Sequence, residues 1–352
     1  MDTRRNFLLK SAILGSLLFA PQNIFPFNLK NNNKTIKPKA LKKGDKVGLI
    51  APASYIEEPE DLNIAIDIMR WLGFEPVVGK NVMKQYGYLA GKDSERADEI
   101  NEMFSRKDVS GIFCMRGGYG TMRILPYIDY ENIIKNPKVI IGYSDITALL
   151  QAIYVKTGLV CFHGPVALST YSEYTLEYLR KAIFINKKIG EIKNPTTPPN
   201  KVETKNRIIK INGGRAEGIL IGGNLSLLVS LIGTPYDIDY KNKILFIEEI
   251  GEEAYRIDRM LTQLWLSGKL EQLSGIIIGK ITDYKSPNSK PAFSNTLSLE
   301  EVIRTRLETL KIPAVYGYMI GHIEDKITVP IGVKAILDVD NNIFIINENA
   351  VE

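Results

Sequence analysis

Residues 138–150 read Lys-Val-Ile-Ile-Gly-Tyr-Ser-Asp-Ile-Thr-Ala-Leu-Leu, and the character of the chain changes at Ser144. The run Val139–Ile141, between a proline and a glycine, predicts a buried strand. After the serine, apolar residues recur at helical spacing: Ile146, Leu149, Leu150 and Ile153. Ser144 is therefore predicted at a strand-to-helix corner, where its hydroxyl projects from the fold and the free N–H groups of the helix face whatever it attacks.

A simpler interpretation is that Ser144 caps the helix, since serine is a favoured N-cap residue and Asp145 suits a first turn. The motif Gly142-Tyr143-Ser144-Asp145 differs from the Gly-x-Ser-x-Gly of α/β-hydrolases, so residue roles of that family do not transfer. The motif by itself leaves cap and nucleophile both open.

The first 25 residues predict an export signal. Arg4 and Arg5 precede the apolar run 12–20, which is too short to span a bilayer, and this order is typical of the twin-arginine route. A Sec signal or an uncleaved anchor is the alternative, because Leu18 occupies a position where a cleavage site needs a small residue. We expect a periplasmic protein with no stable membrane span after processing, rather than a cytoplasmic one, and a linker over residues 26–43.

The composition indicates an ordinary soluble globular chain of 352 residues, with 45% apolar and 24% charged residues. The net charge is +5, of which the first 25 residues carry +2, so nothing favours nucleic acid as a partner. Only two histidines and two cysteines are present, which argues against a metal site. Cys114 and Cys161 lie in apolar runs, and the sequence leaves open whether they are joined.

Alternating strands and helices predict an α/β fold. Strands are predicted at 47–51, 74–78, 111–115 and 138–142, with helices at 58–72 and 94–104. This order predicts an N-terminal domain, residues 44–170, with an open, mostly parallel sheet and helices on both faces. A polar linker region is expected at 171–207. Beyond it, a strand at 244–247, a helix at 255–266 and a hairpin at 335–347 predict a smaller, mixed, strand-rich C-terminal domain at 208–352.

A glycine-rich loop, Arg116-Gly117-Gly118-Tyr119-Gly120, follows the third predicted strand. Working residues of open α/β sheets collect at the carboxyl ends of the strands, where Ser144 is also expected. The glycines allow a close backbone approach to a ligand, and their N–H groups can form an anion-binding nest. A tight glycine turn is the alternative, but together with Ser144 the loop is a plausible wall of the same pocket.

Several separated motifs, taken in order, resemble the LD-carboxypeptidase family of serine peptidases, which includes murein tetrapeptide carboxypeptidases and microcin-immunity peptidases. The motifs are Ala90-Gly91 with Arg96, the loop Arg116 to Gly120, Gly142-Tyr143-Ser144-Asp145, His163-Gly164-Pro165, Gly222-Gly223-Asn224-Leu225, Glu248 to Arg259, and Gly321-His322. The resemblance runs through nearly all of the chain after the signal segment. It implies a serine peptidase that needs no metal or organic cofactor, and it suggests a homodimer.

The resemblance implies a catalytic triad of Ser144, Glu248 and His322, divided between the two domains. Such a triad is chemically reasonable, because a serine hydroxyl is a weak nucleophile until an imidazole takes its proton and a carboxylate orients that imidazole. Strand alternation places Glu248 and Glu249 on opposite faces without showing which face holds the site, so the choice of Glu248 depends on the resemblance. His163 is the rival base, although the family pattern implies a structural or pocket-wall role for it.

The remaining site predictions concern the oxyanion hole and the substrate. The N–H groups of Asp145 and of Gly118 or Gly117 are expected to form the oxyanion hole. Arg116, Gly117 and Tyr119 are the expected substrate-binding residues, with Arg116 either holding a terminal carboxylate or pairing with an acidic neighbour. The implied reaction releases terminal D-alanine from murein tetrapeptides. The alternatives are a peptidase that inactivates a peptidyl-nucleotide toxin, a periplasmic binding protein and a cell-wall-binding module.

Overall fold

The computed structural model describes residues 34–196, 200, 202–284, 292–293 and 295–352. The predicted export signal, and residues 26–33 of the predicted linker, lie outside the described residues. Among these described residues, no helix is both long and apolar enough to cross a bilayer.

The described strands are β1 (Lys46–Ile50), β2 (Glu75–Val78), β3 (Val109–Cys114), β4 (Val139–Gly142), β5 (Cys161–His163), β6 (Gly190–Glu191), β7 (Ile209–Asn212), β8 (Arg215–Asn224), β9 (Lys243–Ile250), β10 (Gly275–Thr282), β11 (Ala314–Tyr316), β12 (Val329–Ile331), β13 (Lys334–Asp338) and β14 (Ile343–Ile346). The described helices are α1 (Pro59–Trp71), α2 (Asp93–Ser105), α3 (Thr121–Ile124), α4 (Tyr130–Lys135), α5 (Thr147–Thr157), α6 (Glu173–Ile183), α7 (Leu225–Ser230), α8 (Ala254–Leu266) and α9 (Leu299–Leu307).

The first sheet has the strand order β12-β5-β4-β3-β1-β2, and its strands from β1 to β5 run parallel. Every residue of β4 is buried, as expected of a strand covered on both faces. The helix α5 follows β4 and ends at Thr157; the next residue, Gly158, has a φ of 75° and provides the left-handed cap that glycine adopts most easily. The predicted α/β class and its mostly parallel sheet, flanked by helices, are confirmed.

The second sheet has the order β6-β14-β13-β8-β9-β10-β11-β7. Its centre, β8 to β11, is parallel, and antiparallel strands flank that centre on both sides. The predicted strand at 244–247 is part of β9, and the predicted hairpin is formed by β13 and β14. The prediction of a mixed, strand-rich second part is confirmed.

The two sheets contact each other near the carboxyl ends of β4 and β8. Asn224 at the end of β8 donates its backbone N–H to the Thr147 hydroxyl at 3.0 Å, next to the corner after β4. A Cβ on Gly223 would lie 2.4 Å from Thr147 Cγ2, so the close approach requires glycine there. The chain also crosses back, since β12 pairs with β5 and places Val329 opposite His163. These contacts bring the motifs of both halves together.

The predicted linker region 171–207 contains the helix α6, which begins after the N-cap Ser172 and buries Leu176, Leu179 and Ile183. These residues have helical spacing, so the signal for the helix was present in the sequence. Leu41, in the predicted linker 26–43, is also buried, and a Cβ on Gly111 of β3 would lie 3.0 Å from it. The domain boundaries themselves stay a prediction.

Candidate active site

Ser144 lies at a sharp corner between β4 and α5. Its φ is 64°, in the left-handed region that a side chain rarely adopts and that costs about 1–3 kcal/mol. A Cβ on Gly142 would lie 2.7 Å from Ile146 Cγ2, so the tight corner requires glycine two residues before the serine. Ser144 begins a 3₁₀ turn, and its side chain caps neither that turn nor α5. The geometry therefore matches a nucleophile elbow and not a helix cap.

Asp145 fixes this corner to the end of the glycine loop. Its buried carboxylate accepts the backbone N–H of Thr121, the first residue of α3, at 2.8 Å. Burial raises the pKa of the Asp145 carboxyl. Its backbone N–H belongs to the first turn after Ser144, where N–H groups have no intrahelical acceptor. The side chain is thus structural, while the N–H has the position predicted for an oxyanion donor.

The glycine loop packs directly against the serine. A Cβ on Gly117 would lie 2.9 Å from Ser144 Cβ and 3.1 Å from its Oγ. Gly118 has a φ of 112°, and a Cβ there would lie 2.3 Å from the Ser54 hydroxyl oxygen. That same oxygen accepts the Tyr119 N–H at 3.1 Å. Glycine at both positions is therefore needed for the loop backbone to lie this close to Ser144 and Ser54.

Arg96, the family motif residue of α2, holds the loop from behind. Its side chain is fully buried, and Nη1 donates to the carbonyl oxygens of Pro52 at 2.5 Å and Gly120 at 3.0 Å. Nη2 donates to the Asp93 carboxylate at 2.6 Å. The guanidinium thereby connects the ends of β1 and the glycine loop.

Glu248 and His322 form a hydrogen-bonded pair. Nδ1 of His322 lies 2.7 Å from Oε2 of Glu248, which is completely buried in β9. Gly321 has a φ of 124°, and a Cβ there would lie 3.0 Å from Glu248 Cβ, so glycine is needed beside the carboxylate. The Tyr143 ring packs on the imidazole with centroids 4.7 Å apart. Because Nδ1 faces the carboxylate, Nε2 is left as the nitrogen able to exchange a proton with substrate or serine.

Glu249 has a different set of contacts. Its carboxylate accepts bonds from Asn224 Nδ2 at 3.0 Å, from the N–H and hydroxyl of Ser226 at 2.8 and 2.7 Å, and from the Ile250 N–H at 2.9 Å. It therefore anchors the start of α7 to β9. The structure brings Glu248, and not Glu249, to His322, which strand alternation left open.

His163 does not reach the cavity that holds Ser144. Both of its ring nitrogens are buried, and burial, followed by the nearby His322, lowers the pKa of His163 to about 3. An imidazole that is enclosed and so weakly basic is unsuited to take the serine proton. The rival assignment of His163 as the base is not supported by this placement.

A cavity of about 380 Å³ is lined by Arg116, Gly117, Gly118, Ser144 and His322, together with other residues. The predicted nucleophile, base and loop thus share one space. Tyr119 is not among the residues that line it; the residue is 56% exposed, and its ring packs edge-on against Tyr88 with centroids 5.4 Å apart. The role of Tyr119 as a substrate contact has no support in this arrangement beyond its backbone position next to Gly118.

Two cations lie in the walls of this region. Arg116 pairs with Glu57 at 3.6 Å and donates to the Tyr55 carbonyl oxygen at 3.3 Å, so its side chain has a structural partner. Lys326 lines an adjoining cavity of about 520 Å³ that shares His322 with the first. It is 5% exposed, its Nζ donates to the Glu324 carbonyl oxygen at 3.3 Å, and burial lowers its pKa. Sequence reasoning missed Lys326, because a single lysine in a loop has no distinctive pattern.

Two family models match the chain: the LD-carboxypeptidase N-terminal domain over residues 47–164 and the LD-carboxypeptidase C-terminal domain over residues 217–337. The chain belongs to the LD-carboxypeptidase family. It is therefore an enzyme, a serine-type carboxypeptidase, and the binding-protein and wall-binding alternatives are set aside.

Individual relatives agree with this assignment. The chain is 43% identical over 303 residues to the "Probable murein peptide carboxypeptidase" of Bacillus subtilis, which covers 86% of this chain and 91% of that protein. It is 32% identical over 331 residues to the microcin C7 self-immunity protein MccF of Escherichia coli, covering 87% and 94%. The solved muramoyltetrapeptide carboxypeptidase of Oxalobacter formigenes superimposes with a TM-score of 0.70 at 30% identity, covering 86% of this chain and 99% of that one.

Proposed function

We propose that this enzyme cleaves the L,D-peptide bond that releases terminal D-alanine from murein tetrapeptides, with Ser144 as nucleophile, His322 as base and Glu248 as the carboxylate that orients the base. The 2.7 Å contact between buried Glu248 and His322 Nδ1 is the observation that carries the proposal, because it leaves Nε2 free to act. Ser144 and His322 line one cavity, which supports their acting on the same bond. Relatives described as murein peptide and muramoyltetrapeptide carboxypeptidases support the choice of substrate.

The reaction then proceeds in two steps, acylation of Ser144 and hydrolysis of the acyl-enzyme. His322 Nε2 takes the Ser144 proton as Oγ bonds to the carbonyl carbon, and the N–H groups of Asp145 and Gly118 stabilise the oxyanion. When the intermediate collapses, the C–N bond breaks and the imidazolium gives its proton to the departing D-alanine amine. A water molecule, deprotonated by His322, next attacks the acyl-enzyme ester, and the proton returns to Ser144 as the tripeptide leaves.

A carboxypeptidase must also bind the free carboxylate of its substrate. We assign this role to Arg116, because it precedes the glycines of the proposed oxyanion hole and lines the Ser144 cavity. Its pairing with Glu57 is long, at 3.6 Å, and both side chains are partly exposed, so an incoming carboxylate can compete for the guanidinium. Lys326, in the adjoining cavity, is the second candidate.

The decisive test measures D-alanine release from purified muropeptides. Ser144→Ala and His322→Ala are each expected to lower turnover by roughly 10⁴-fold, and the double variant by little more, since triad members act as a unit. A fluorophosphonate probe should label wild type and fail to label Ser144→Ala. Additive losses would disprove the triad, and equal activity on an L-alanine-terminated peptide would disprove the L,D specificity.

A second candidate function is inactivation of a peptidyl-nucleotide toxin, which the 32% identity to MccF favours. Cleavage of a peptidyl-nucleotide analogue, measured beside the tetrapeptide, distinguishes the two. The substrate with the larger kcat/KM identifies the function.

We further propose that the enzyme is exported and works as a homodimer outside the cytoplasm, trimming or recycling wall peptides. The Arg4–Arg5 pair ahead of an apolar run supports export. The family resemblance supports the dimer. Light scattering on the purified protein tests the assembly, and a monomer at micromolar concentration would refute it.

A further inference from the structure

The carboxylate of Glu248 lies between two imidazoles. On one side, Oε2 is 2.7 Å from Nδ1 of His322. On the other, Oε1 is 3.9 Å from Nε2 of His163. Glu248 is 0% and His163 2% exposed, so solvent reaches neither group from that second side. One histidine belongs to the second half of the chain and the other to β5 of the first sheet.

Within the described part of the chain, the atoms of Glu248 and His163 that face each other have no other hydrogen-bond partner. Among the residues that the structure describes, Oε1 of Glu248 and both ring nitrogens of His163 have no hydrogen-bond partner. Buried polar atoms without partners are destabilising, and a carboxylate oxygen more so than a neutral group. A hydrogen bond from the His163 Nε2–H to Oε1 of Glu248 would give a partner to two of these three atoms, and only Nδ1 of His163 would be left without one.

His163 is held firmly in this orientation by its own strand. It pairs with Gly142 of β4 and with Val329 of β12, and its ring packs edge-on against Phe246 of β9 with centroids 5.3 Å apart. Its position therefore depends on the same strand, β4, that leads into the corner at Ser144. A small closure of the two sheets would shorten the 3.9 Å separation to the range of a hydrogen bond, as catalytic contacts often do when substrate binds.

We propose that His163 is a positioning residue that donates its Nε2–H to Oε1 of Glu248 and so fixes the carboxylate that orients His322. This inference rests on the proposed roles of Glu248 and His322. A neutral donor suits the task, because it holds the second oxygen without cancelling the negative charge. That charge is then available to stabilise the imidazolium that forms on His322 during each half-reaction.

Two matched substitutions of His163 test whether the donor at the Nε2 position is needed. Gln places its amide N–H near the Nε2 position of histidine, whereas Asn places it near Nδ1. We expect His163→Gln to retain kcat within about fivefold of wild type, and His163→Asn to lose about 10–100-fold in kcat, as for one hydrogen bond to a charged group, with KM changed less than about threefold. Melting temperatures of both variants are measured in parallel, and His163→Leu replaces His163→Asn if the latter does not fold.

A merely structural role predicts something different, namely that activity follows melting temperature and that the Gln and Asn variants behave alike. Equal kcat values for folded His163→Gln and His163→Asn, whether both are high or both are low, would overturn the proposal. So would a large loss in a well-folded His163→Gln.

The coupling to Glu248 separates this inference from the proposed function. In a Glu248→Gln background, His163→Asn should have almost no further effect, since the carboxylate it positions is gone. If Glu248→Gln itself keeps wild-type turnover, the proposed triad fails. If Glu248→Gln loses turnover while His163→Asn remains fully active, the triad stands and only the role of His163 is refuted.

Discussion

Glu248 and Glu249 are adjacent, but replacing each by Gln should have different effects: Glu248→Gln should lower activity, and Glu249→Gln should lower stability. Glu248→Gln keeps the size of the side chain and an oxygen that can accept a hydrogen bond from His322 Nδ1, which lies 2.7 Å from Oε2 in the wild-type protein. It removes the charge that stabilises the imidazolium. We expect kcat to fall by about 10³–10⁴-fold, as for the carboxylate of other triads. Removing a buried charge should change the free energy of unfolding by less than about 1 kcal/mol.

Glu249→Gln should have the opposite effect. Glu249 accepts four hydrogen bonds, of which two converge on Oε2 from the N–H and hydroxyl of Ser226. An amide nitrogen at that position faces the Ser226 N–H as donor against donor, while the other bonds lose their charge assistance. These losses amount to about 2–4 kcal/mol. For a chain of this length the melting temperature should fall by about 3–6 °C, because the entropy of unfolding grows with chain length.

The measurement pairs D-alanine release at 25 °C with calorimetric melting of wild type and both variants. Glu248→Gln should be inactive and stable, and Glu249→Gln active and less stable. If folded Glu249→Gln loses turnover as severely as Glu248→Gln, or if Glu248→Gln keeps a tenth of wild-type kcat, then the carboxylate facing the imidazole has been misassigned.

Arg116→Ala should weaken tetrapeptide hydrolysis about 10–100-fold and reduce the preference for a substrate with a free terminal carboxyl over one with an amidated carboxyl. If Arg116→Ala keeps this preference and Lys326→Met loses it, the substrate carboxylate is bound by the lysine instead. Changing Arg4 and Arg5 to lysine should retain the precursor in the cytoplasm, whereas intact export would indicate the Sec route. Burial lowers the pKa of His163 to about 3, so the folded state binds fewer protons than the unfolded state between that pH and about 6.5. Stability should therefore fall as the pH drops through this window, by up to about 1.4 kcal/mol per pH unit from this group; urea unfolding with the same slope in His163→Gln would contradict it.

Much of the first sheet could be predicted from local sequence. Apolar runs such as Val139–Ile141 are buried on both faces, and a turn residue follows each run, so the strands β1, β3 and β4 are visible without tertiary information. The corner at Ser144 was predictable for the same reason. Its φ of 64° was not, because backbone strain is imposed by the packing of Gly142 against Ile146 and of Gly117 against the serine.

Other features depend on contacts between distant segments. β9 is buried from Ile244 to Glu249, so alternation has no solvent-facing side from which to infer where Glu248 points. The short strand β12, with Pro330 at its centre, has too few residues for a periodic signal, yet it joins the edge of the first sheet. Cys114 and Cys161 are both buried, and they are not joined by a disulfide. The sequence could not decide this, because two cysteines in apolar runs are compatible with either state.

The crossing of β12 explains how the proposed triad, divided between two sheets, keeps its geometry. The proposed base, His322, is followed after six residues by β12, which pairs with β5 beside β4, the strand that leads into the corner at Ser144. Within this short segment, the backbone N–H of Lys326 donates to the Thr175 hydroxyl at 3.0 Å, which fixes it to α6 of the first half. Backbone pairing thus attaches the segment that carries His322 to the sheet that leads into Ser144, while its carboxylate partner, Glu248, comes from β9. The position of His322 is therefore set from both sheets, and a change that loosens either attachment should lower kcat before it unfolds the chain.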